Sequence, residues 1–180
     1  MESNYRPVAS RSRGAAPYLG GKRKLANRIC ERISGIPHDT YAEVFVGMAG
    51  VFLRRTLRPK KEVINDKNVE VATFFRVLEE HYQYFIDYMK WRLPSRNRFE
   101  QLLAMDPALM TDVQRAARFY YLQKLAFGGK SSGQSFGVDP GRPAGFNLVT
   151  AASDLQELEE RLHGVTIENL EIKGTRGSGI

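Results

Sequence analysis

Leu25, Ile29 and Ile33 recur at helical spacing, which predicts an amphipathic helix of about three turns. Pro37 ends that segment. The apolar run Tyr41–Val46 then predicts a buried strand, Gly47 to Gly50 a turn, and the residues after Gly50 a short helix. Val63–Asn65 predicts a second strand. Residues 68–89 place Phe74, Phe75, Leu78, Tyr82, Phe85 and Met89 at helical spacing. That pattern predicts one long helix whose aromatic stripe belongs to the core rather than to a ligand. Pro94 breaks it. Val113, Ala117, Tyr120 and Lys124 mark successive turns of a further helix, from Asp112 to Phe127. Between Gly128 and Asn147 the chain carries Gly128, Gly129, Gly133, Gly137, Gly141 and Gly145, with Pro140 and Pro143. This is a long loop or irregular hairpin, and loops of that length inside a domain often carry function. Residues 153–162 return to helix and Val165–Ile167 to strand. No internal repeat is visible.

The 180 residues suit one domain with an insertion, and an apolar share of 42% can support a core. The net charge of +7 is unevenly placed. Residues 1–60 hold 12 Lys/Arg against 4 Asp/Glu, whereas residues 61–180 hold 15 against 16. Basicity in the N-terminal third fits a polyanionic partner such as nucleic acid. For Arg6, Arg11 and Arg13, in a polar and aperiodic stretch over 1–16, a disordered solubilising tail explains the charge equally well. Cys30 is the only cysteine, so neither an intrachain disulfide nor a cysteine-rich metal site is expected, and its place on a helix face marks it as a small core residue. His38, His81 and His163 have no metal-ligand spacing. No signal-peptide core or membrane-length apolar run is present, so a cytoplasmic protein without membrane contact is expected.

Three short segments carry candidate chemistry. Tyr18-Leu19-Gly20-Gly21-Lys22 pairs glycines that allow close backbone approach with a lysine that can meet a carboxylate or phosphate. The turn Val46–Gly50 has Gly47 and Gly50 at G-x-x-G spacing but lacks the earlier glycine of a dinucleotide fingerprint. Such a turn can line a nucleoside, or simply join a strand to a helix. Asp66 follows the second strand, where a carboxylate can accept hydrogen bonds from ribose hydroxyls or cap the next helix.

Taken together, these segments resemble the D12 class of DNA N6-adenine methyltransferases, the Dam type. Tyr18–Lys22 looks like the family's aromatic-x-Gly-Gly-Lys motif, Glu43–Leu53 like its cofactor loop, and Val63–Asn68 like its ribose-binding strand end. The resemblance covers residues 17–170. It implies an α/β, Rossmann-like fold with a helical target-recognition insertion, binding S-adenosyl-L-methionine and methylating adenine N6 in double-stranded DNA. It divides the chain into a tail (1–16), a cofactor-binding part (17–80), the insertion (81–150) and a return to the α/β part (151–180). By the same resemblance Tyr18 would pack on the cofactor, Lys22 would meet its methionine end, Asp66 would hold the ribose, and Val46, Gly47 and Gly50 would line the pocket. Arg115, Arg118, Lys124, Phe127, Lys130 and Phe136 fall where the family keeps its DNA-recognition elements. For the basic ones a solvated helix face is the alternative.

The family's catalytic motif is Asp-Pro-Pro-Tyr or a close variant, whose groups hold and stack the flipped adenine. This sequence has Asp106-Pro107 and Asp139-Pro140, and neither is followed by proline and an aromatic. A sheet cut before the catalytic strand, with no catalytic residue in this chain, is therefore expected. The leading reading is an adenine-specific DNA methyltransferase by descent. The alternatives are a non-catalytic SAM- or DNA-binding module, one whose site a second chain completes, or a decayed fragment. A nucleotide-dependent oxidoreductase ranks below these because the glycine spacing is wrong.

Overall fold

The computed structural model describes residues 5–8, 14–22, 24–137 and 148–172. Its centre is a parallel sheet of three strands in the order β2 (Thr40–Glu43), β4 (Lys61–Asn65), β5 (Val165–Glu168). Tyr41 pairs with Glu62, and Glu62 with Val165, so these three residues lie in one row across the sheet. Strand alternation then sends Tyr41, Glu43, Glu62, Ile64 and Val165 to the buried face. Thr40, Ala42 and Thr166 point to the other face and are exposed. A small antiparallel ribbon pairs β1 (Arg6–Pro7) with β3 (Leu57–Arg58).

The strand expected over Tyr41–Val46 ends at Glu43, because the chain turns there: Phe45 is exposed, and the Val46 N–H donates to the Asn65 carbonyl. Helix α1 (Ala26–Ser34) forms as expected, but Ala26 and Cys30 are its buried positions, packed with Val51, while Leu25 is exposed. The short helix after Gly50 is a single 3-10 turn over Phe52–Arg54. The long helix expected over 68–89 is two, α2 (Val69–Glu80) and α3 (Tyr82–Met89), broken at His81, whose φ of −136° lies outside the helical range. Its aromatic stripe is core, as expected. Phe74, Phe75, Phe85 and Met89 are buried, and Phe74 stacks on Tyr120 with ring centroids 5.4 Å apart.

Beyond the break at Pro94, where the periodicity predicts no element, the chain forms helix α4 (Arg96–Ala104). Ser95 caps it by accepting from the Arg98 N–H, and Phe99 and Leu102 are its buried anchors. Helix α5 (Asp112–Leu125) starts at a capping box between Thr111 and Gln114 and ends before Phe127. Helix α6 (Leu148–Leu162) begins earlier than expected. The 1–16 stretch is not a wholly unstructured tail. Arg6–Pro7 form β1, and the Ala15 N–H donates to the Met48 carbonyl over 3.0 Å. Arg11 and Arg13 lie outside the described residues, as do positions 138–147 of the long loop.

One hydrophobic cluster joins the sheet to the helices. It runs from Tyr41 and Ile64 through Phe74 and Tyr120 to Leu158. Within it Glu62, fully buried in its side chain, is held by Arg55 at 2.9 Å, Arg161 at 2.6 Å and Arg58 at 3.2 Å. Part of the basic excess of the N-terminal third is therefore spent inside the fold. Arg55 lies over the Tyr41 ring and Arg161 over the Phe52 ring, so the cations are shared between a carboxylate and aromatic faces.

Candidate cofactor pocket and recognition face

Glu43 ends β2, and Asp66 follows directly on β4. Because the strands are parallel, both acids stand at the same carboxyl edge of the sheet, where open α/β sheets take their ligands. A cavity of about 930 Å³ opens there. Tyr18, Lys22, Val46, Gly47, Gly50 and Asp66 all line it, so the six residues singled out for cofactor contact are brought together.

Asp66 is buried and organises the floor. Its Oδ2 accepts from the Gly47 N–H at 2.9 Å, and its Oδ1 from the Asn68 N–H at 3.0 Å. A carboxylate has about four lone-pair positions, so two remain for hydroxyl donors. The helix cap is Asn68, whose side chain accepts from the Glu70 N–H, and not Asp66. Gly47 has φ +51°, and a Cβ there would stand 3.0 Å from Tyr18 Cδ1. The left-handed turn and the aromatic ring thus both require glycine. Lys22 Nζ donates to the carbonyl of Phe45, which also lines the cavity, at 3.4 Å.

Glu43, the first residue of the Glu43–Leu53 segment, also lines the cavity. Its signal is an acid inside an apolar run: Glu43 is the last residue of β2, and Asp66 the first after β4. Tyr41 Oη donates to its Oε2 over 2.9 Å. Burial pushes the Glu43 carboxyl up to about 7, against the opposing pull of the Tyr41 hydroxyl and the nearby Lys22 ammonium. Burial likewise raises the Tyr41 hydroxyl, which the neighbouring Glu43 charge reinforces.

The residues expected to face DNA are not brought together. Arg115 is paired with Glu70 at 2.5 Å, anchoring α5 to the first turn of α2. Arg118 donates to the carbonyls of Leu102 and Leu103, closing the C-terminal end of α4. Both guanidiniums do structural work, and burial lowers the Arg118 pKa. Lys124 lines the same cavity and lies over the Tyr120 ring. Phe136 packs edge-on against Phe99 at 5.6 Å, and the Arg96 guanidinium lies 5.1 Å from its ring centre. Only Phe127 and Lys130 of this group are exposed. Helical spacing showed which residues share a face of α5, but not that Glu70 and the α4 terminus would occupy that face.

A parallel sheet with an acid-lined, glycine-walled cavity at its carboxyl edge has the layout in which open α/β folds take their ligands. The family model for D12 class N6 adenine-specific DNA methyltransferases matches residues 18–169, and the chain belongs to that family, with its Rossmann-like α/β fold. It is 29% identical over 134 residues to the type II methyltransferase M1.LlaDCHI of Lactococcus lactis subsp. cremoris, covering 69% of this chain and 46% of that protein. It is 30% identical over 119 residues to the type II methyltransferase M.CviBI of Paramecium bursaria Chlorella virus NC1A, covering 63% of this chain and 45% of that one. The chain thus spans about half the length of the curated relatives it matches. Among the described residues no helix is long and apolar enough to cross a membrane.

Proposed function

We propose that this chain binds S-adenosyl-L-methionine in the cavity at the carboxyl edge of its sheet and serves N6-methylation of adenine in double-stranded DNA. The observation that carries the reading is the joint placement of Asp66, Gly47, Tyr18 and Lys22 in the lining of one cavity. The donor set fits the cofactor. Asp66 keeps acceptor capacity for a ribose diol, and Lys22 and Glu43 offer both signs of charge to the ammonium and carboxylate of a methionine end. Tyr18 offers an aromatic face beside Gly47. When bound, the cofactor would supply an electrophilic methyl group on a sulfonium. The chain's own part is to hold it, with Val46 and Gly50 completing the wall. Phe127 and Lys130, exposed after α5, are the residues of this chain that we assign to DNA.

A second reading is favoured by one observation: the sequence contains no Asp-Pro-Pro-Tyr. In it, this chain binds cofactor and DNA, and a separate chain brings the groups that orient the adenine amine. Two measurements test both readings. Calorimetry should show S-adenosyl-L-methionine binding that weakens on the order of tenfold or more in Asp66→Ala. Methyl transfer from labelled cofactor to an adenine-containing duplex should then be assayed with this chain alone. Transfer supports the first reading and eliminates the second, binding without transfer supports the second, and no cofactor binding overturns both.

A further inference from the structure

Gln123 is completely buried on α5, yet its side-chain amide serves two loops at once. Its Nε2 donates to the Pro17 carbonyl at 2.6 Å and to the Gly129 carbonyl at 2.8 Å. Pro17 leads directly into Tyr18, the aromatic wall of the cavity. Gly129 lies within the irregular hairpin in which Phe127 donates to Ser135, Gly137 donates to Leu125, and Ala126 bridges Phe136. The two loops also touch directly: the Leu19 N–H donates to the Gly129 carbonyl at 2.7 Å. Gly129 has φ +65°, and a Cβ there would come within 2.9 Å of the Pro17 carbonyl carbon. On the hairpin side, Gln134 Nε2 donates to the Lys130 carbonyl at 2.8 Å and approaches Gln123 Oε1 at 3.5 Å.

A primary amide has two N–H groups, and here each holds a different segment. Neither segment can shift without leaving a donor of the buried Gln123 amide without its partner. We propose that Gln123 is a positioning residue that couples the Pro17–Lys22 loop to the Phe127–Gly137 hairpin, so that a ligand packed on Tyr18 also stiffens the hairpin. The mechanical link stands on the geometry alone. Its ligand arm rests on the cofactor reading above. By reciprocity, whatever orders the hairpin must tighten the cavity by the same factor. DNA seated on Phe127 and Lys130 would therefore strengthen cofactor binding, and the reverse.

Hydrogen exchange of the whole chain tests this. In ligand-free Gln123→Met, which keeps the volume and removes the donors, exchange should rise about tenfold in peptides covering 17–22 and 127–137 together, with β4 and α2 unchanged. A rise in only one of these peptides, or in neither, overturns the coupling. If Gln123→Met loosens the whole molecule, Gly129→Ala decides from the other side. Its new methyl presses on Pro17, so exchange in 17–22 must rise, and no change there overturns the proposal. Adding S-adenosyl-L-methionine to the unmodified chain should protect both peptides, and in Gln123→Met only 17–22. Protection of 17–22 without 127–137 in the unmodified chain overturns the ligand arm. Protection of neither counts against the cofactor reading and overturns the ligand arm with it, while the ligand-free comparison still decides the mechanical link.

Discussion

The N–H of Gly47 donates to Asp66 Oδ2 across 2.9 Å, which ties the turn after β2 to the end of β4 through a side chain. Asp66 therefore shapes the cavity as well as lining it. Asp66→Ala leaves the buried amide of Gly47 and the half-buried amide of Asn68 without their acceptors. It should cost about 2–3 kcal/mol of stability by urea denaturation. Asp66→Asn keeps one oxygen acceptor and should cost about half of that. Equal losses in the two variants would show that the carboxylate is needed for something other than these amides.

Gly47→Ala places a methyl against the Tyr18 ring at a left-handed backbone position. The backbone strain alone should cost about 1–2 kcal/mol. Cofactor affinity should fall further, because the ring must move from the cavity wall. Pairing Gly47→Ala with Tyr18→Ala should remove the steric part and leave the backbone part. The coupling is read as a double-mutant cycle in thermal unfolding.

Ala49 is the one non-glycine residue with positive φ among the described residues, at +59°, and it is fully buried. Ala49→Gly relieves about 1 kcal/mol of left-handed strain but gives up a buried methyl worth about 0.8 kcal/mol. The variant should stay within about 1 kcal/mol of the parent. Ala49→Val, with a branched side chain in the same strained and packed position, should lose more than about 3 kcal/mol. Denaturation midpoints of the two variants check the pair.

Glu43 makes stability depend on pH in a direction opposite to most carboxylates. Its folded carboxyl is raised to about 7 from an ordinary 4.5, so the folded state holds the proton more tightly than the unfolded chain. The resulting stability is fully present below pH 4.5 and is lost as pH rises through about 7. The size is about 3 kcal/mol. Glu43→Gln should flatten this slope and leave the protein more stable than the parent above pH 7. A cationic ligand group beside Glu43 would draw the proton off, so cofactor affinity should fall from pH 8 to pH 6 in the parent and stay level in Glu43→Gln. Titrations by calorimetry at the two pH values measure this.

Glu62 faces three guanidiniums with its side chain out of water. Glu62→Gln leaves those cations short of a counter-charge and should cost about 3–5 kcal/mol. Raising the salt concentration should not rescue the variant, since screening acts on exposed charges. Denaturation in low and high salt compares the two conditions.

The sheet strands and the main helices were legible because their apolar periods are clean, and the six pocket residues because three short segments agreed on one chemistry. The misreadings have physical reasons. His81 interrupts a stripe that is apolar on both sides of it, and periodicity passes over a one-residue break in backbone angle. Helix α4 offers few buried anchors, Phe99 and Leu102, in a polar stretch, so its period is weak and its Ser95 cap was the only clear sign. Arg115 and Arg118 looked free for DNA because a helical pattern says nothing of distant partners such as Glu70 or the Leu102 carbonyl. Gln123 carried no signal at all, since a lone glutamine on a helix reads as surface.

The stacked rings of Phe74 and Tyr120 join α2, which flanks the sheet, to α5, which carries the hairpin. Their rings are nearly parallel, at 5°, and belong to the same continuous core as Ile64 and Leu158. The two regions therefore have no seam at which they could be separated. Grafting the segment after α2 onto another scaffold, as one exchanges specificity modules, would strand Tyr120 without its partner ring and Arg115 without Glu70. A transplant that keeps its shape has to begin at Asn68 and carry α2 along with it.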